Sequence, residues 1–418
     1  MLSRIAEKLV EINGTDFLRN GIRREGITRE EFVERFNAKK QSVSMLYIHV
    51  PFCRSLCPFC SFNRYFYQEP LLVSYFESLK QELNIYKDIG IGFRRVYIGG
   101  GTPTVNFPQL ISLIDFLKSE FQIQEISLES TPRELSEEKL EELKKKGVSR
   151  LSIGIQTLDR VLLKKIGRGW QDPESTLEIA KIANEKIPTL AADLIFNFPE
   201  QQVSQFENDL SLLMSTGISQ ITAYPLMPSI YSQEFKRIDR NRERQFYSAL
   251  AKEAEKHDYV PSTVWCYSKQ RQAPAHNIID EYITNEDQYI GAGSSSISYV
   301  NGKISINTFA LKKYKEMLEK GLIPVVFEKQ LSNMQQSGLL LLNKLFSTKM
   351  QEEVVENIEK EGIHVKLLLS LLRLAGIVKI ENSTWVLKRR GYYAVGSAMR
   401  MFFSVLDTLR EYFRKRQV

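Results

Sequence analysis

The chain has 418 residues, 43% of them hydrophobic and 26% charged, with 57 Lys and Arg against 50 Asp and Glu. This composition excludes collagen-like, low-complexity and disordered classes, and a formal charge of +7 spread along the chain does not point to nucleic acid. No run approaches the roughly 20 apolar residues of a membrane span, and Met1–Asn13 is charged and amphipathic rather than an apolar leader, so a cytoplasmic protein is expected.

In chain order, residues 1–44 form a charged N-terminal extension of helical pattern. From Met45 short β-rich runs alternate with amphipathic stretches. The runs predict strands at Leu46–Val50, Arg95–Ile98, Glu125–Glu129, Arg150–Gly154, Leu190–Ile195 and Gln220–Tyr224. Helical spacing predicts helices at Pro70–Lys87, Phe107–Phe121, Ser136–Lys146, Pro173–Glu185, Ser204–Thr216 and Gln233–His257. Asp172 before Pro173 reads as an N-cap followed by a proline in the first turn. Such alternation implies parallel strands with right-handed crossovers, and six units make an open barrel. Val260–Asn307 reads as irregular. After Pro324 come leucine-rich helical patterns, a β pair at Ile377–Ile380 and Thr384–Leu387, and a long basic helix. The expected fold class is α/β: a partial (β/α)6 TIM-type barrel over residues 45–325, and a small C-terminal winged-helix-like α+β domain over residues 326–418.

Three of the four cysteines, Cys53, Cys57 and Cys60, lie within eight residues, and Cys266 stands apart. A disulfide framework needs dispersed pairs. Three thiolates on one short loop can hold three irons of a cubane cluster, leaving the fourth iron open. The alternatives are three unrelated buried thiols or a zinc site. A closed structural zinc site wants a fourth Cys or His nearby, and His49, on the preceding strand, is poorly placed for it, so the spacing favours the cluster.

In α/β barrels the chemistry sits where strands end. The cysteine loop follows the first strand and Gly99-Gly100-Gly101-Thr102 follows the second. Glu129, Gln156, Arg168 and Asp193 lie at or near the ends of the next three. Polar groups among apolar neighbours suit a small polar ligand in an apolar pocket.

Five ordered segments carry a resemblance: YIHVPFCRSLCPFCSF from Tyr47, YIGGGTPT from Tyr97, SLES from Ser127, LSIGIQTLDR from Leu151 with IGRG from Ile166, and ADLIFNFP from Ala192. Together they resemble the radical S-adenosylmethionine (SAM) superfamily, and most closely the branch of oxygen-independent coproporphyrinogen III oxidase and its haem-chaperone relatives. The likeness covers Leu46–Tyr224 and, weakly, GAGSSSISY from Gly291. It implies that Cys53, Cys57 and Cys60 ligate a 4Fe–4S cluster whose open iron is chelated by SAM. It implies that Tyr47 lies beside the cofactor and that Gly100, Gly101 and Thr102 receive its methionyl end. Glu129, Gln156, Arg168 and Asp193 then match positions that fix its ribose and carboxylate, or a second cofactor in some relatives.

The expected activity is generation of a 5′-deoxyadenosyl radical acting on a tetrapyrrole (porphyrin or haem type) substrate, as an oxidoreductase or a methyltransferase. A flavodoxin or ferredoxin would be the electron donor. A non-catalytic haem chaperone and an RNA-modifying enzyme are the alternatives. Two departures bear on the choice. Oxidases of the branch carry a further cysteine two residues after the third ligand, where this chain has Phe62, as the haem chaperones and haem-degrading methyltransferases do. The oxidases' N-terminal substrate segment is not recognisable in residues 1–44.

Overall fold

The computed structural model describes residues 21–37, 45–227, 239–269, 288–360 and 365–415. Residues 1–20 and 38–44 of the expected N-terminal extension, and residues 233–238 of the expected helix Gln233–His257, lie outside the described residues.

Six parallel strands run in sequence order through one sheet: β1 (Met45–Val50), β2 (Arg95–Gly100), β3 (Glu125–Ser130), β4 (Arg150–Gln156), β5 (Thr189–Phe196) and β6 (Gln220–Pro225). Between them lie helices α1 (Glu69–Asp88), α2 (Phe107–Glu120), α3 (Glu137–Lys145), α4 (Pro173–Lys186) and α5 (Val203–Ser215), and after β6 comes α6 (Arg240–Lys256). Their starts are encoded locally. The Asn106, Ser136 and Asp172 side chains each accept from a backbone N–H one turn ahead, capping α2, α3 and α4.

Alternation along the strands builds two different faces. Leu46, Ile48, Val96, Ile98, Ile126, Leu128, Leu151 and Ile153 belong to the main core cluster shared with the helices. Every second residue between them (Tyr47, Tyr97, Ser127, Glu129, Ser152) falls on the opposite face, as the two-residue period of a strand requires. The barrel interior is therefore polar and aromatic while its outside is aliphatic.

A seventh parallel strand, β7 (Tyr289–Ala292), pairs with β1 on the side away from β2. It comes from the segment expected to be irregular. Beyond it the antiparallel strands Ile297–Val300, Lys303–Asn307, Val325–Gln330 and Ile22–Arg23 extend the sheet, and Cys266–Lys269 and Tyr259–Pro261 extend it beyond β6. No pairing among the described strands joins the two edges, so the barrel is partial.

C-terminal to the sheet, the strand order is Lys349–Gln351, Thr384–Leu387, Val378–Glu381, all antiparallel. Helices surround this small sheet, and the last, Arg389–Lys415, returns to the barrel mouth. Near its end, Phe413 packs on Phe309 and Phe327 against the outer antiparallel strands. No helix among the described residues is long and apolar enough to cross a membrane.

Candidate active site

The carboxyl ends of β1 to β6 open on one pocket of about 320 Å³, at the small end of the range for pockets that hold small ligands. Tyr47, Cys53, Cys57, Cys60, Gly100, Gly101, Thr102, Glu129, Gln156, Arg168 and Asp193 all line it. The fold thus brings these eleven candidate residues to one place.

The cysteine loop leaves β1 and is pinned by backbone bonds. Gly101 N–H donates to Val50 C=O and Thr102 N–H to Phe52 C=O, both at 2.8 Å. A Cβ on Gly101 would lie 2.7 Å from the Phe52 backbone nitrogen and oxygen, so only glycine lets the two loops touch. At Gly100 the backbone is left-handed (φ 109°) and its N–H donates to Glu129 Oε2 at 2.9 Å. The N–H groups of Gly100, Gly101 and Thr102 are thus satisfied within the protein. An incoming ammonium, itself a donor, would meet this turn through acceptors only.

Burial pushes the Cys53 thiol up to about 12, partly offset by Thr102, whose hydroxyl lies 3.5 Å from Cys53 Sγ. Burial raises Cys60 as well, against the charge of Arg64. Such thiols keep their protons unless a cation replaces them, as a coordinating metal does. Among the described residues no three His, Cys, Asp or Glu side chains converge on a point that a single metal ion could fill. Ligands to three separate irons of a cubane need no such point.

Opposite the loop, Glu129 accepts from the Tyr97 hydroxyl at 2.7 Å. Burial raises its carboxyl above the ordinary range against that bond, the Gly100 bond and the Arg150 charge. Asp193 accepts from the Ser152 hydroxyl at 2.6 Å through Oδ2, while Oδ1 is buried with no hydrogen-bond partner. Burial pushes this carboxyl up to about 7.

Gln156 sits at an irregularity in the β4–β5 register with φ 69°, a left-handed conformation uncommon for a side chain larger than glycine. Arg168 Nη1 donates to the Gly154 carbonyl (2.6 Å) and Gln171 Nε2 to the Ile155 carbonyl (2.9 Å), across the same irregularity. Arg168 Nε is buried without a partner.

An unpaired buried acceptor on Asp193 and an unpaired buried donor on Arg168 are rare in finished folds. A hydroxyl donor on a ligand would complete the first and an anionic acceptor the second. The residues present therefore fit a SAM-sized ligand beside a cluster.

Sequence reasoning missed several lining residues. Tyr97 carries a signal, since it opens the YIGGGTPT segment on β2. Trp170, and the roof residues Phe403, Leu406, Asp407 and Arg410 from the C-terminal helix, carry none. Cys266 lies buried in the core strand Cys266–Lys269, away from the three loop thiols.

Comparison with known proteins agrees with this geometry. The profile of the Radical SAM superfamily matches residues 47–213. The heme chaperone HemW of Bacillus subtilis (strain 168) is 30% identical over 291 residues, spanning 66% of this chain and 76% of that protein. The oxygen-independent coproporphyrinogen III oxidase of Escherichia coli (strain K12) is 26% identical over 307 residues, 66% of this chain and 65% of that protein. In fold, the solved coproporphyrinogen III oxidase (HemN) from Escherichia coli aligns with 89% of this chain and 93% of its own at TM-score 0.72 and 18% identity. The chain belongs to the radical SAM superfamily, in the branch that contains the oxygen-independent coproporphyrinogen III oxidases and the haem chaperones.

Proposed function

We propose that this protein is a radical SAM enzyme in which Cys53, Cys57 and Cys60 hold a 4Fe–4S cluster, and that it acts on a tetrapyrrole. One observation carries the reading: the three thiols share a pocket with the unpartnered Asp193 Oδ1 and Arg168 Nε. When bound, a reduced cluster and SAM supply a 5′-deoxyadenosyl radical; the protein's part is binding, orientation and exclusion of water. Asp193 and Glu129 would take ribose hydroxyls, Arg168 the carboxylate, and Tyr47 the side next to the cluster. An electron donor of the flavodoxin or ferredoxin kind would reduce the cluster.

A second reading, a haem carrier that keeps the cluster, draws on Phe62 in place of the oxidases' extra cysteine. Phe62 is 37% exposed and lies under the Arg410 guanidinium, 4.7 Å from its ring centre, leaving an aromatic face at the mouth where the oxidases place a thiol. The printed names of the HemW relatives favour the same reading.

The test is anaerobic. Reconstituted protein, reductant and SAM are combined with or without coproporphyrinogen III or haem, and 5′-deoxyadenosine is measured. Release that rises with a tetrapyrrole and vanishes in Cys57→Ala is the expected result. Indifferent release together with tight haem binding would transfer the assignment to the carrier. Cleavage that persists in Cys57→Ala would overturn the cluster assignment.

A further inference from the structure

Trp170 follows the IGRG run and lines the pocket, yet no motif accounts for it. Its Nε1–H is buried with no hydrogen-bond partner. The Arg168 guanidinium carbon lies 5.6 Å from the Trp170 ring centre and that of Arg133 lies 4.8 Å away. Two cations thus hold the ring, which fixes the direction of its N–H. Arg168 Nε–H, the neighbouring donor, is unpaired too.

The local charge is positive. Arg54 Nε lies 2.9 Å and Arg133 Nε 3.7 Å from the Glu134 carboxylate, so two guanidiniums share that one acid. A native fold keeps few unpaired buried donors, and each one asks what satisfies it. Two neighbouring N–H groups, one charged and one neutral, complement an acceptor with two oxygens on one carbon.

We propose that Trp170 and Arg168 form a carboxylate site at the pocket rim, with Trp170 as a direct ligand contact. The site rests on the functional reading above, which offers two sources of the carboxylate: the amino-acid end of the cofactor and the acid side chains of the tetrapyrrole.

The full chain with its cluster reconstituted is tested as parent, Trp170→Phe (ring kept, N–H removed) and Trp170→His (a ring N–H restored). Equilibrium dialysis measures SAM and 5′-methylthioadenosine, which lacks the amino-acid end. Absorbance titration measures haem and haem dimethyl ester, which lacks the free acids. Trp170→Phe is expected to weaken one acid-bearing ligand about tenfold, the scale of a lost hydrogen bond to a charged group, to spare its acid-free analogue, and to be partly rescued in Trp170→His. The ligand that responds names the source. Unchanged binding of all four ligands in Trp170→Phe, or equal weakening of a ligand and its analogue, overturns the site while leaving the functional reading intact. A parent that binds neither SAM nor haem overturns both.

Discussion

The Tyr47 hydroxyl lies 2.9 Å from Nδ1 of His49, and Nε2 of the same ring lies 2.9 Å from the Asn63 carbonyl. A carbonyl only accepts, so Nε2 carries the hydrogen and Tyr47 donates to the bare Nδ1. Burial, aided by the Arg410 charge, pushes the imidazole down to about 4 against the opposing Asn63 bond, which keeps it neutral. His49 therefore ties a pocket tyrosine on β1 to the chain just beyond Cys60.

This arrangement depends on pH. The unfolded chain protonates His49 near its ordinary value of 6.5, whereas the native chain resists until about 4. Below 6.5 the unfolded state binds more protons, so the contribution of His49 is complete above about 6.5 and is lost as pH falls toward 4. The full span is worth about 3 kcal/mol. Urea unfolding of the parent and His49→Gln at pH 7.5 and pH 5 should show the gap between them narrowing at the lower pH. A gap independent of pH would contradict the neutral tautomer.

Asp193 runs the other way. Its carboxyl sits near 7 in the native chain against an ordinary 3.8, so folding is penalised progressively as pH rises from about 4 to 7. Asp193→Asn removes that penalty and keeps an acceptor for Ser152. The variant should be more stable than the parent at pH 8, by about 1–4 kcal/mol, with a smaller advantage at pH 5. It should also bind SAM at least about tenfold more weakly. Thermal melting and dialysis measure both, and parental SAM affinity would remove Asp193 from the site.

A buried ion pair helps to hold the roof. Arg400 Nε meets Glu243 Oε1 at 3.1 Å, with 5% and 0% of the side chains exposed, joining the C-terminal helix to α6. Arg400→Met should cost about 3–5 kcal/mol in urea unfolding, because a buried carboxylate loses its cation. The double variant Arg400→Met/Glu243→Gln should regain at least half. Additive losses would show that the two residues act separately.

The six barrel strands were legible because each is a short β-rich run, aliphatic at alternate residues, set between stretches of helical spacing. Asp172 and Pro173 marked a helix start to the residue. β7 was not legible: four residues, Tyr289–Ala292, followed by Gly293 and three serines, lack the length and β-branched content that signal a strand. The pocket floor followed from strand ends and motif order, since both are local. The roof did not follow. Arg410 reaches Phe62 of the cysteine loop, and Phe403 the pocket, only through packing set by residues far away in sequence, and periodicity along a helix says nothing about its distant partner. Trp170 went unseen for a related reason, because its surroundings are two arginines brought together from different loops.

Pairing β1 with β7 joins Met45 to Tyr289, about 240 residues later in the chain. The strand that launches the cysteine loop is therefore an open edge until most of the chain has been synthesised. Contacts of such separation close slowly because the intervening loop must be ordered first. Metal loading on the nascent chain would meet a loop with only one flank in place. The order of assembly that the topology favours is chain completion, closure of β7 onto β1, and then loading of the thiols.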